Sequence, residues 1–185
     1  SERASIADNS TTHTSIIQNV ARVFLSSPDD SWNMIQEMDV DYVLVFVAGE
    51  RVDGSYDGKQ LYYLNGGGDE SKIPWFVRIS ELPEEQFLYN NLPNDYFWNE
   101  TLLAKLIPFD VVTYYNPELK TENTIFESGT IPLSVEEIKY TDSKNDPLWL
   151  VYASSSFYDK QNGPMSGVFV YEINKNYIPI NDTIP

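Results

Sequence analysis

The chain has 185 residues, no cysteine, and 28 acidic against 12 basic side chains, a formal net charge of −16. That field repels a nucleic-acid backbone, and the missing cysteines exclude disulfides, thiolate zinc sites and cysteine nucleophiles. No apolar run approaches the roughly 20 residues of a membrane helix, no stretch reads as a signal peptide, and the length fits one domain, or one domain with a small appended subdomain.

In chain order, Ile16, Ile17, Val20, Val23 and Phe24 form an apolar stripe at helical spacing. Thr11, Thr12 or Thr14 is a candidate cap for that helix. Pro28 and Asp29 open a second, short helix carrying Trp32, Ile35 and Met38. The unbroken run from Tyr42 to Val47 predicts a strand buried on both faces. From Gly49 to Gly68 the chain is polar and glycine-rich, which predicts mostly loop with a strand at Gln60–Leu64.

Next come Gly66-Gly67-Gly68, Asp69, Lys72, and the proline-broken apolar segment Pro74-Trp75-Phe76. With Asp69 as a helix cap, Lys72 lies one turn on and Phe76 four residues further, so all three would line one small surface. Such a surface suits a short side chain with a hydroxyl and a methyl. "PEEQFLYNN" and "NDYFWNETLLAKLIPF" predict two short helices, with Asn99 a candidate cap for the second.

After Asp110 the segments "VVTYYNPELK", "TIFES", "SVEEIKYT", "PLWLVYASSSF" and "GVFVYEI" predict strands of a mostly antiparallel sheet. The expected fold is therefore α+β. A mixed α/β central core over 1–110, with short helices around a buried strand, carries the Asp69–Lys72 element. A mostly antiparallel β-rich part over 111–185 packs on it as one structural unit.

Few residues offer catalytic chemistry. His13 is the single histidine, at a polar helix start. The acid pairs Asp29/Asp30, Glu84/Glu85 and Glu136/Glu137 read as solvated faces, because adjacent acids point in different directions. No Asp-x-Asp-x-Asp-Gly loop signals calcium. Sequons at Asn9-Ser10-Thr11, Asn99-Glu100-Thr101 and Asn181-Asp182-Thr183 are compatible with an exterior location.

Four segments together resemble the C-terminal globular domain of the oligosaccharyltransferase catalytic subunit, in its archaeal AglB branch. They are "RASIADNSTTHTSIIQNVARVF", "WNMIQEMDVDYVLVFVAG", "GDESKIPWFVRISE" and "DYFWNETLLAKLIPF", in order from Arg3 to Phe109. The third is similar to the family's DxxKxxxM element. Asp69 and Lys72 match its Asp and Lys, while Phe76 stands where the family has Met or Ile.

The resemblance implies that Asp69, Lys72 and Phe76 help form the acceptor site for Asn-x-Ser/Thr. It implies a full-length enzyme that transfers oligosaccharide from a dolichol phosphate or pyrophosphate carrier to asparagine. Mn or Mg would act there, with ligands outside this segment. The chain lacks the family's Trp-Trp-Asp-Tyr-Gly signature, and starting without Met it reads as part of a longer protein, with that signature expected just upstream of Ser1. The segment alone is then expected to be inactive, with no catalytic and no metal-binding residue of its own. Implied partners are the acceptor polypeptide, dolichol-linked oligosaccharide and the protein's own transmembrane domain, with no nucleic acid, at the extracytoplasmic face of the membrane.

Two other readings fit the residues. One is a non-enzymatic cell-surface module, a β-rich carbohydrate-binding or surface-layer domain with an exposed aromatic platform. The other is an acidic hydrolase with two facing carboxylates.

Overall fold

The computed structural model describes residues 14–64, 67–116, 121–123, 131–158 and 161–179. His13, the sequons at Asn9 and Asn181, and the predicted strand in "TIFES" lie outside them.

The first helix, α1, runs Thr14–Leu25 and buries Ala21, Val23, Phe24 and Leu25. The second, α2, runs Pro28–Glu37. Ser27 caps it: its hydroxyl accepts the Asp30 N–H at 3.2 Å and donates to the Asp30 carboxylate at 2.8 Å. Pro28 suits the first helical position, where no backbone donor is needed, and Asp29 and Asp30 favour the positive helix end.

Strand β1 runs Tyr42–Tyr56 and β2 runs Lys59–Tyr63. The polar stretch after Gly49 is thus a β-hairpin rather than mostly loop. Its turn is Asp57-Gly58, with φ of 50° and 76°, between the paired Tyr56 and Lys59. Two positive φ values define the tight hairpin turn whose twist matches that of the strands, and Asp-Gly is a preferred sequence for it.

A 3-10 turn, Asp69–Lys72, leads into α3, Ile73–Ser80. There follow α4 (Glu84–Phe87), the two-residue strands β3 (Leu88–Tyr89) and β4 (Leu92–Pro93), α5 (Asp95–Glu100) and α6 (Leu102–Leu106). The caps are Asn94 for α5 and Thr101 for α6, so Asn99 is not a cap. Thr101 is fully buried, and its hydroxyl also donates to the Phe97 carbonyl at 2.8 Å.

The remaining strands are β5 (Phe109–Asn116), β6 (Thr121–Asn123), β7 (Ile131–Glu136), β8 (Leu148–Ala153) and β9 (Gly163–Ile173). They join the hairpin in one seven-stranded sheet of order β6-β5-β7-β2-β1-β9-β8. Each described strand pair is antiparallel. The fold is α+β, with strands from both sides of Asp110 interleaved in the sheet.

Helices cover one face of this sheet. Val45, Val47, Tyr62, Phe169 and Tyr171 share a buried cluster with Leu25, Val77, Phe97 and Leu103. The Tyr171 hydroxyl donates to the Leu106 carbonyl at 2.7 Å, tying β9 to α6. Within the helical layer the Arg22 Nε donates to the Ser80 carbonyl at 2.9 Å, and the Leu102 N–H donates to the Ser26 carbonyl at 2.9 Å. Fully burying one such apolar side chain contributes about 1.5–3 kcal/mol.

The other face differs from expectation. The Tyr42–Val47 run is not buried on both sides: Val45 and Val47 are fully buried, while Leu44 is 57% and Phe46 36% exposed. An antiparallel strand can present one face to water, and period-2 alternation sends Tyr42, Leu44 and Phe46 there together.

Candidate functional site

The Asp69–Lys72 turn lies along β1, which β2 accompanies only from Glu50 onward. Upstream of Glu50, the backbone N–H groups on that edge of β1 need other acceptors. Two carboxylates supply them. Asp69 Oδ2 accepts the Phe46 N–H at 2.8 Å. The Glu70 carboxylate accepts the Ala48 N–H at 3.4 Å and the Gly68 N–H at 2.8 Å.

This docking explains the glycines. Gly67 adopts φ of 103°, a region that favours glycine. Gly68 is needed for space: a Cβ there would stand 2.6 Å from both the Ala48 nitrogen and the Phe46 oxygen. The Ser71 hydroxyl and N–H both bond the Gly68 carbonyl, at 2.7 and 3.1 Å, which closes the turn.

Asp69 and Lys72 meet at the surface. Lys72 Nζ lies 3.2 Å from Asp69 Oδ1, with side-chain exposures of 45% and 15%. Asp69 is not a helix cap, since the residue before the turn is Gly68. The carboxylate divides between the sheet edge through Oδ2 and the ammonium through Oδ1.

Phe76 does not join them on the surface. It is buried and packs against Phe24 with ring centroids 5.5 Å apart. The expected i, i+4 stacking presumed one continuous α-helix. A 3-10 turn has three residues per turn, so the spacing does not carry across the junction at Ile73. The exposed apolar residue beside the pair is Phe46, 36% exposed, whose N–H holds Asp69; Trp75, three residues after Lys72 in the chain, is 48% exposed.

Glu70 is the residue that sequence reasoning missed. It is buried, and burial pushes its carboxyl above the ordinary value of 4.5, against the pull of the Gly68, Glu70 and Ala48 N–H groups. The adjacent glycines were the available signal, since backbone approaching that closely leaves room for a carboxylate to reach across.

The acid pairs separate, as adjacent residues should. Asp29 accepts from the Tyr177 hydroxyl at 2.5 Å, while Asp30 bonds Ser27. Glu136 accepts from the Tyr62 hydroxyl at 3.2 Å, and Glu137 pairs with Lys59. Tyr62 in turn accepts from buried Arg51 Nε at 3.2 Å, so Glu136 belongs to a structural network. Among the described residues no group of three or more His, Cys, Asp or Glu could hold a metal ion, and no helix is long and apolar enough to cross a membrane.

The site is thus a polar edge element: a carboxylate held by a strand, an ammonium beside it, and exposed Phe46 on that strand. No protein-family profile matches the chain. Over 87 residues, 45% of the chain, it is 33% identical to the dolichyl-diphosphooligosaccharide–protein glycosyltransferase subunit STT3 of Saccharomyces cerevisiae. The match spans 10% of that protein's length, so the chain corresponds to a small part of it. The similarity points to an oligosaccharyltransferase-related chain.

Proposed function

We propose that this chain is the C-terminal extramembrane domain of an oligosaccharyltransferase catalytic subunit, of the archaeal type that its motifs resemble. The full-length enzyme transfers lipid-linked oligosaccharide to the asparagine of Asn-x-Ser/Thr at the extracytoplasmic face of the membrane. This domain contributes to the acceptor site. Metal ions, Mn or Mg, and the reacting groups belong to the rest of the protein, as does the transmembrane domain on which this one docks. A dolichol carrier supplies the glycan.

The observation that carries this reading is the Asp69–Lys72 pair, 3.2 Å apart at the surface and fixed on the edge of β1. A sequon's serine or threonine presents a hydroxyl, and threonine adds a methyl. Lys72 offers that hydroxyl ammonium donors, Asp69 fixes where the ammonium stands, and exposed Phe46, whose N–H Asp69 holds, supplies apolar surface nearby. Phe76 acts from behind, packed on Phe24 so that the start of α3 is held in place.

The test is made in the full-length enzyme with a sequon peptide and lipid-linked oligosaccharide. Lys72→Ala should reduce transfer at least about tenfold, equivalent to roughly 1.4 kcal/mol of lost transition-state stabilisation. Transfer by Lys72→Ala at the parent rate would sink the acceptor-site reading.

A further inference from the structure

The exposed sheet face carries an ordered row of side chains away from the Asp69–Lys72 element. In the register of β1, β9 and β8, Tyr42 stands opposite Glu172, and Glu172 stands opposite Trp149. Directly opposed residues lie about 5 Å apart at Cβ, so the two aromatic residues flank one carboxylate with roughly 10 Å between their origins. Tyr42 is 38% exposed, and Trp149 and Glu172 are half-buried. The three line a cleft of about 440 Å³ whose rim includes Asp41, Ser143 and Lys175.

The walls of the cleft are held by a specific network. Asn174, only 3% exposed, donates its amide to the Asp146 carbonyl at 2.9 Å and the Lys144 carbonyl at 3.3 Å. Its side-chain oxygen accepts the Asn176 N–H at 3.1 Å. Asp146 Oδ2 accepts the Thr141 and Asp142 N–H groups at 3.0 and 2.8 Å, fixing the loop that carries Ser143. The Ile173 N–H donates to the Asp41 carbonyl at 3.0 Å, which locks the start of β1 to the end of β9.

We propose that this cleft is a saccharide-binding site. A pyranose has one face of C–H groups and a rim of hydroxyls. Two aromatic side chains can take the C–H face, as the apolar body of a small-molecule site does. The carboxylate between them accepts hydroxyl hydrogen bonds, and charged acceptors make the stronger ones.

A cationic ligand suits the cleft less well. Lys175 Nζ stands on its rim, 2.5 Å from Asp41 Oδ1, and its ammonium offsets that acid. A neutral polyhydroxylated ligand uses the rings, Glu172 and the rim donors together. The inference does not rest on the acceptor-site reading. A glycan-handling enzyme and a non-enzymatic surface module could both carry such a cleft, and only Lys72→Ala transfer separates those two.

The experiment is saturation-transfer NMR on the 185-residue chain. The probes are cellobiose, chitobiose and mannobiose, with tetramethylammonium as the cationic comparison, each at about 10 mM so that a dissociation constant near 1 mM is visible. At least one disaccharide should receive saturation at its ring protons. Trp149→Ala should abolish it, and Glu172→Gln, which keeps the side chain's shape, should weaken it at least about fivefold at unchanged Tm. Three outcomes overturn the proposal: no transfer to any of the three sugars, transfer to tetramethylammonium alone, or sugar signals that persist in Glu172→Gln at parent strength.

Discussion

Asp69 Oδ2 accepts the backbone N–H of Phe46 at 2.8 Å, so the acid of the surface ion pair is also a structural ligand of the sheet edge. The two members of the pair therefore differ in what their removal does. Lys72 is 45% exposed at its side chain, and an exposed ion pair contributes about 0–1 kcal/mol. Asp69→Ala leaves a strand N–H without its charged acceptor, which costs roughly 1.5–3 kcal/mol. Asp69→Asn keeps an oxygen acceptor and should recover most of that loss. Urea melts of the three variants check the order; Asp69→Ala unfolding at the parent midpoint would mean that the Phe46 bond does not hold the turn.

The neighbouring glycines separate in the same kind of experiment. Gly67→Ala strains a backbone at φ of 103° but meets no atom within 4 Å. Gly68→Ala drives a Cβ into β1, 2.6 Å from the Ala48 nitrogen and the Phe46 oxygen. Backbone atoms cannot rotate away, so overpacking of about 1–3 kcal/mol is expected, a fall in Tm of roughly 2–12 °C for a chain of this size. Gly68→Ala should be the more damaging of the two by thermal denaturation. Equal melting of both variants would show that the turn stands off from the strand.

Glu70 gives the stability a pH signature. Burial raises its folded-state pKa above 4.5, so the folded chain binds this proton more tightly than the unfolded chain. Its contribution is fully present below pH 4.5 and is lost as pH rises through the raised folded value. Glu70→Gln preserves an acceptor for the Gly68 and Ala48 N–H groups and removes the charge. Its Tm relative to the parent should therefore climb as pH increases across that window and level off above it. A Tm difference that stays flat from pH 4 to 8 would show that Glu70 is not desolvated.

These cases mark what one sequence discloses. The helices α1 and α2 were legible because their apolar residues repeat at helical spacing and Pro28 marks a start. Contact between Asp69 and Lys72 was legible because it is local. The hairpin was obscured by polar composition between Gly49 and Gly68, although Asp57-Gly58 carries its turn. Phe76 was misplaced because the change from 3-10 to α-helix at Ile73 shifts the phase of the side chains. Burial of one face of β1 and exposure of the other depends on which face the helical layer covers. The roles of Gly68 and Glu70 arise only when a distant strand comes within bonding distance, and no local pattern encodes that.

The strand partners of β1 and β2 decide what a shortened chain would do. Strand β1 pairs with β9 over ten register positions, from Tyr42 opposite Glu172 to Arg51 opposite Gly163. Strand β2 pairs with β7 through Leu61, Tyr62 and Tyr63. Ending the chain after Asp110 removes both partner strands and, with them, core side chains Phe157, Phe169 and Tyr171. The inner residues Val45 and Val47 would lose their β9 neighbours Phe169 and Gly167, while Leu44 and Phe46 are already exposed on the outer face. A hairpin whose two outer edges are both open, one of them apolar, is a template for pairing between chains. The 1–110 piece should therefore aggregate or remain unfolded, seen as void-volume elution on gel filtration and a non-native far-UV circular dichroism spectrum. A monomeric 1–110 piece with a cooperative melt would show that the helical layer and the hairpin suffice without β9.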